Sequence, residues 1–189
     1  MTNKIDGSTA LLVVDAQQAI HAQDYWEGER NNPQAETNIR RLLDAWRNAG
    51  RERIFVVHDS TEPGSLFKLS LPTGKIIEKV APKEGELVIE KSANSAFIGT
   101  DLELQMRRRG VSKLVITGFI TDHCVETTTR MAGNLGYGTI LVSDATATFD
   151  RTGPDGKLYK ADLIHNVSLA SLNGEFAEVL TIEEVLARM

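Results

Sequence analysis

Only one cysteine, Cys124, stands in 189 residues. No internal disulfide can form, so nothing in the chain points to an oxidising compartment, and the thiol needs its own explanation. Long apolar runs are also missing. The N-terminal stretch "TALLVVD" offers five apolar residues, Ala10 to Val14, before Asp15. That is too short for a signal-peptide core or a membrane span, so a cytoplasmic location and no membrane partner are expected. Positive charge is in deficit, with 21 Lys and Arg against 26 Asp and Glu. A net charge of -5 argues against nucleic acid as a partner. No repeat, low-complexity tract or linker divides the chain, whose length suits one domain over residues 1–189.

What is present is a rhythm of apolar runs. "TALLVVD" (Thr9 to Asp15), "RIFVVHD" (Arg53 to Asp59), "ELVIEK" (Glu86 to Lys91), "KLVITG" (Lys113 to Gly118) and "TILVSDA" (Thr139 to Ala145) read as strands buried on both faces. "FAEVL" (Phe176 to Leu180) is a weaker sixth. Amphipathic segments lie between them. Pro33 to Ala49 aligns Ile39, Leu42, Leu43 and Trp46 on one helical face, with Gly50 as its stop. Thr100 with Glu103, and Thr181 with Glu184, have the spacing of capping boxes. Strand and helix alternating in this way predict a three-layer α/β fold with a six-stranded, mostly parallel sheet. Thr61 to Lys83, rich in Pro, Gly and Lys, reads as a long excursion between strands, of the sort that carries function.

Ligands of such sheets bind beyond the carboxyl ends of the strands. Asp15, His58, Asp59, Lys91 and the Gly118 to Cys124 run all fall there. A thiol near neutral pH is mostly protonated. A lysine ammonium and a helix N-terminus favour its thiolate, a carboxylate can take its proton, and helix-start amides can hold an oxyanion. Asp15, Lys91 and Cys124 thus have one role each in nucleophilic catalysis. Each also has a plainer reading: Cys124 as a small buried hydrophobe, Asp15 as a turn residue, Lys91 as a solvated charge. Spacing alone leaves both open.

Three ordered motifs carry a resemblance: "LLVVDAQQ", "EKSANSAFIGTDLELQMRRRG" and "LVITGFITDHCVETTTRMAGNLGY". Together they resemble the isochorismatase-like cysteine hydrolases, the superfamily of nicotinamidases, N-carbamoylsarcosine amidase and ureide hydrolases. The likeness runs from about Thr9 to Leu180. It implies a nucleophile at Cys124, a general base at Asp15 and a supporting Lys91. It also implies a non-proline cis peptide joining Phe119 to Ile120, which aims the amides of Ile120 and Cys124 inward as an oxyanion hole. Hydrolysis of a C–N bond in a small amide, carbamoyl or ureido compound follows, in a homodimer or larger assembly, without a cofactor. Metal-dependent nicotinamidases have D-x-H after the second strand; here "VVHDSTEPGS" puts Thr61 where the first histidine is expected, so no metal is expected. Two other readings stay open: ether or ester hydrolysis by Asp15, as in isochorismatases that lack the cysteine, and a non-catalytic ligand-binding member of the fold.

Tyr25, Trp26, Phe97 and Phe119 are the candidate pocket residues. His123, beside Cys124, points a different way from its neighbour at a helix start and is not expected to be catalytic. His165 lies among Leu163, Val167 and Leu169 and reads as structural or interfacial. The Arg107 to Arg109 run complements a helix C-terminus.

Overall fold

The computed structural model describes residues 4–189. Its centre is a sheet of β1 (Thr9–Val14), β2 (Arg53–His58), β3 (Leu87–Lys91), β4 (Lys113–Phe119), β5 (Gly138–Ala147) and a late strand, Glu178–Leu180. Between the last two come a small hairpin, β6 (Arg151–Thr152) with β7 (Leu158–Tyr159), so the late strand is β8. The order is β3-β2-β1-β4-β5-β8, and every pairing in it is parallel.

Both faces of the sheet are covered, which is why the strands read as continuous apolar runs. Leu11, Val13, Phe55, Val115 and Val142 point to the face packed by α1 (Ala35–Asn48) and α5 (Ile182–Leu186), where Ile39, Leu42, Leu43 and Trp46 are buried. Leu12, Val14, Ile54, Ile116 and Leu141 point to the other face. There α2 (Leu102–Arg108), α3 (Glu126–Asn134) and α4 (Ala161–Leu172) cover them, with Leu102, Met106, Ala132 and Leu172 buried. No helix among the described residues is long and apolar enough to cross a membrane.

Element boundaries differ from expectation in instructive ways. The first helix starts at Ala35 rather than Pro33, and Gly50 closes it at φ 64°. The Thr181–Glu184 capping box forms. The Thr100–Glu103 box does not: Asp101 is the N-cap and makes no side-chain cap. Thr100 Oγ1 donates instead to the Ala96 carbonyl at 2.6 Å, and Glu103 pairs with Arg107 at 2.6 Å. A local motif lost here to a nearer backbone acceptor.

From β1, the next strands run outward in one direction, while β4, β5 and β8 run in the other. The chain therefore changes direction between β1 and β4, and the crevice beyond their carboxyl ends is the place for a site. Gly118 pairs with Val14 there. At φ 122°, a Cβ on Gly118 would stand 1.9 Å from the Val14 carbonyl oxygen, so only glycine lets the two strands meet.

Candidate active site

Four strand ends deliver the chemistry. Asp15 follows β1, His58 and Lys91 are register partners at the ends of β2 and β3, and Cys124 lies just past β4. The peptide between Phe119 and Ile120 is cis, as expected. The chain then makes one wide turn, Thr121–Val125, in which the Val125 amide donates to the Ile120 carbonyl five residues back at 3.3 Å. Cys124 is in this turn, two residues before the α-helix proper begins at Glu126. Buried His165 braces it, with Nδ1 2.9 Å from Thr121 Oγ1, so the structural reading of that histidine holds.

Asp15 is 1% exposed and sits at φ 49°, a left-handed conformation that aspartate tolerates better than most residues. Its Oδ2 accepts from Lys91 Nζ at 2.6 Å, and the Lys91 side chain is fully buried. Its Oδ1 is buried with no hydrogen-bond partner among the described residues, an unpaired acceptor beside the thiol. Lys91 Nζ lies 3.2 Å from Cys124 Sγ and 3.0 Å from His58 Nδ1. Burial, and then the Asp15 charge, push the Cys124 thiol far above its ordinary range, while Lys91 pulls it down. The resting sulfur is therefore a neutral thiol.

Asp15, His58 and Cys124 each present one ligand atom, all within 4.8 Å of one another, a spacing that suits a cation. The Lys91 ammonium touches all three and supplies that positive charge itself. Asp59 is exposed, and its carboxylate accepts the Leu69 amide at 2.9 Å.

The thiol opens into a cavity of about 530 Å³. Tyr25, Trp26, Phe119, Ile120 and Cys124 are among the residues that line it. Trp26 is fixed by stacking on Phe149, with ring centroids 4.1 Å apart, and by an Nε1 bond to the Ala19 carbonyl at 3.1 Å. Phe97 is a correction. It is not part of this lining and stacks on Tyr137 at 6.1 Å, packing against the core on the α2–α3 side. The adjacent backbone is tied to α3, where the Ala96 amide donates to Thr128 Oγ1 at 3.0 Å, and the ring finds its apolar partner in Tyr137. His123 reaches the lining, but its ring faces Asp122 at 3.6 Å, and burial and Arg151 lower its pKa.

Several lining residues carried no sequence signal of their own: Phe67 from the excursion, Asn94, and Arg151 from the hairpin. Asn94 Oδ1 is 3.8 Å from Sγ. His58 was legible only as a strand-end residue.

Residues 9–184 match the Isochorismatase domain family. The chain belongs to the isochorismatase family. YrdC of Bacillus subtilis strain 168, an uncharacterised isochorismatase family protein, is 45% identical over 177 residues, covering 94% of each chain. A solved isochorismatase-family structure from Chromobacterium violaceum superposes with a TM-score of 0.93 at 42% identity, covering 100% of this chain and 98% of that one. A more distant relative, ureidoacrylate amidohydrolase RutB of Stutzerimonas stutzeri, is 28% identical over 180 residues, 78% of this chain and 71% of that protein. The protein is thus an isochorismatase-family hydrolase with the six-stranded fold that its sequence implied.

Proposed function

We propose that this hydrolase cleaves a C–N bond of a small amide, carbamoyl or ureido compound through a thioester on Cys124. One observation carries the reading: a single buried ammonium, Lys91 Nζ, lies 2.6 Å from Asp15 Oδ2 and 3.2 Å from Cys124 Sγ at the base of an open cavity. The ureido activity named for RutB supports the bond type.

Because the resting thiol is neutral, its proton passes to Asp15 as the sulfur attacks the carbonyl carbon. Lys91 offsets the negative charge, which moves from carboxylate to sulfur and on to the carbonyl oxygen. The amides of Ile120 and Cys124 receive that oxygen. The C–N bond then breaks, and Asp15 returns the proton to the departing nitrogen. Water, deprotonated by Asp15, attacks the thioester; the acid leaves and the thiol is restored. Tyr25, Trp26 and Phe119 give the substrate an apolar wall. The same reading has the enzyme working in the cytoplasm as a homo-oligomer.

A panel of small amides and ureides assayed for ammonia release tests this. The parent protein is expected to release ammonia from at least one class. Cys124→Ala is expected to keep its fold by circular dichroism and lose turnover by about a thousandfold or more. Undiminished turnover by Cys124→Ala would favour ether or ester chemistry at Asp15 instead.

A further inference from the structure

The Lys91 ammonium has three protons and three neighbours: Asp15 Oδ2 at 2.6 Å, His58 Nδ1 at 3.0 Å and Cys124 Sγ at 3.2 Å. Its side chain is fully buried, so water does not share the work. An ammonium has donors only. The His58 contact is therefore a bond from Lys91 to an unprotonated Nδ1, which fixes the ring as the neutral tautomer with its proton on Nε2.

The backbone of His58 is held as firmly as its ring. Gln17, two residues beyond Asp15, bonds both its polar groups: the His58 amide donates to Gln17 Oε1 at 2.8 Å, and Gln17 Nε2 donates to the His58 carbonyl at 3.0 Å. Gln17 Nε2 also donates to the Gly74 carbonyl at 2.8 Å, and the residue is fully buried. The segment just past β1, which supplies the base, thus clamps the end of β2, which supplies the imidazole.

We infer that His58 is a positioning residue: its Nδ1 takes the third proton of Lys91 and so aims the other two at Asp15 and Cys124. The imidazole moves no proton in the reaction and need not touch the substrate. The charged groups facing it are Lys91, Asp15 and Asp59. Burial, and then Lys91, lower its pKa, which favours the neutral ring that the Lys91 contact requires. This role rests on the proposed function, since it acts through Lys91 on Cys124.

Without the acceptor, a buried N–H of Lys91 has no partner. The ammonium must swing to find one or give up the proton, and both outcomes take positive charge away from the sulfur. The thiol, whose cationic support is Lys91, becomes still harder to ionise. Asn in place of His presents an amide oxygen near the Nδ1 position and restores the acceptor.

The test needs no substrate. Cys124, the only thiol, is alkylated with iodoacetamide from pH 6 to pH 10 and the rate read by intact mass, with thermal melts to confirm folding. His58→Leu is expected to slow alkylation by about tenfold at a given pH, equivalent to one unit in thiol pKa. His58→Asn is expected to stay within about twofold of the parent, and Lys91→Met to slow at least as much as His58→Leu. If Lys91→Met alkylates as fast as the parent, the proposed function loses its lysine. If Lys91→Met is slow but His58→Leu matches the parent, or if His58→Asn is as slow as His58→Leu, the His58 role alone is overturned. Should His58→Leu fail to fold, ¹⁵N spectra of the parent decide. A neutral ring protonated at Nε2 is expected, and a proton on Nδ1 overturns the assignment.

Discussion

At the scale of single residues, Asp15 and Lys91 act on the thiol in opposite directions, and the structure says which wins at rest. Burial and the Asp15 charge hold the thiol neutral against Lys91. Asp15→Asn separates the two effects, because asparagine also tolerates the left-handed backbone at this position. Removing the carboxylate charge removes a cause that raises the thiol pKa, so the Cys124 alkylation profile is expected to move to lower pH. Turnover is expected to fall by about 100-fold or more, because no base remains to take the proton or return it. A thiol that becomes more acidic while the enzyme dies is the signature of Asp15 as proton carrier. An alkylation profile that moves to higher pH, or turnover that survives, would contradict the role.

At the scale of elements, the site depends on two strands meeting without side chains between them. Gly118→Ala would drive a Cβ to within 1.9 Å of the Val14 carbonyl oxygen, a backbone atom that cannot step aside. The expected cost is about 2–4 kcal/mol in urea unfolding, with activity lost beyond that because Asp15 follows Val14 directly. An unfolding midpoint equal to the parent's would show that β1 and β4 part easily. The strands themselves were legible because both faces of the sheet are covered, leaving long apolar runs in the sequence. Asp15, Lys91 and Cys124 were legible because strand ends of one parallel sheet converge on one edge. Phe97 was not, because its ring packs on Tyr137, forty positions away in the chain. His58 was visible as a strand-end residue, but its orientation comes from Gln17, three residues past β1, and Lys91, at the end of β3. The Thr100 box failed for a local reason, the nearer Ala96 carbonyl.

At the scale of the whole molecule, α4 carries Leu163 and Val167 one turn apart, 51% and 60% exposed, close in sequence to Leu158 of the hairpin at 51%. Exposed apolar side chains one turn apart on α4 fit the proposed homo-oligomer, in which a partner chain would cover them. Light scattering on the parent is expected to give a mass at least twice that of one chain, and Leu163→Glu with Val167→Glu a monomer; a monomeric parent would contradict the assembly. Arg151, which lines the cavity, opens the hairpin that leads to α4, so the monomeric variant is also expected to turn over more slowly. The central claim is narrower than assembly or substrate choice: the sulfur of Cys124 becomes covalently acylated during turnover. Intact-mass spectrometry of acid-quenched enzyme, sampled while ammonia is being released from an active amide or ureide, measures this directly. The expected result is a mass increase equal to the acyl fragment, mapped to the peptide holding Cys124 and lost on treatment with hydroxylamine. Steady turnover in Cys124→Ala, with no adduct at any time in the parent, would contradict it.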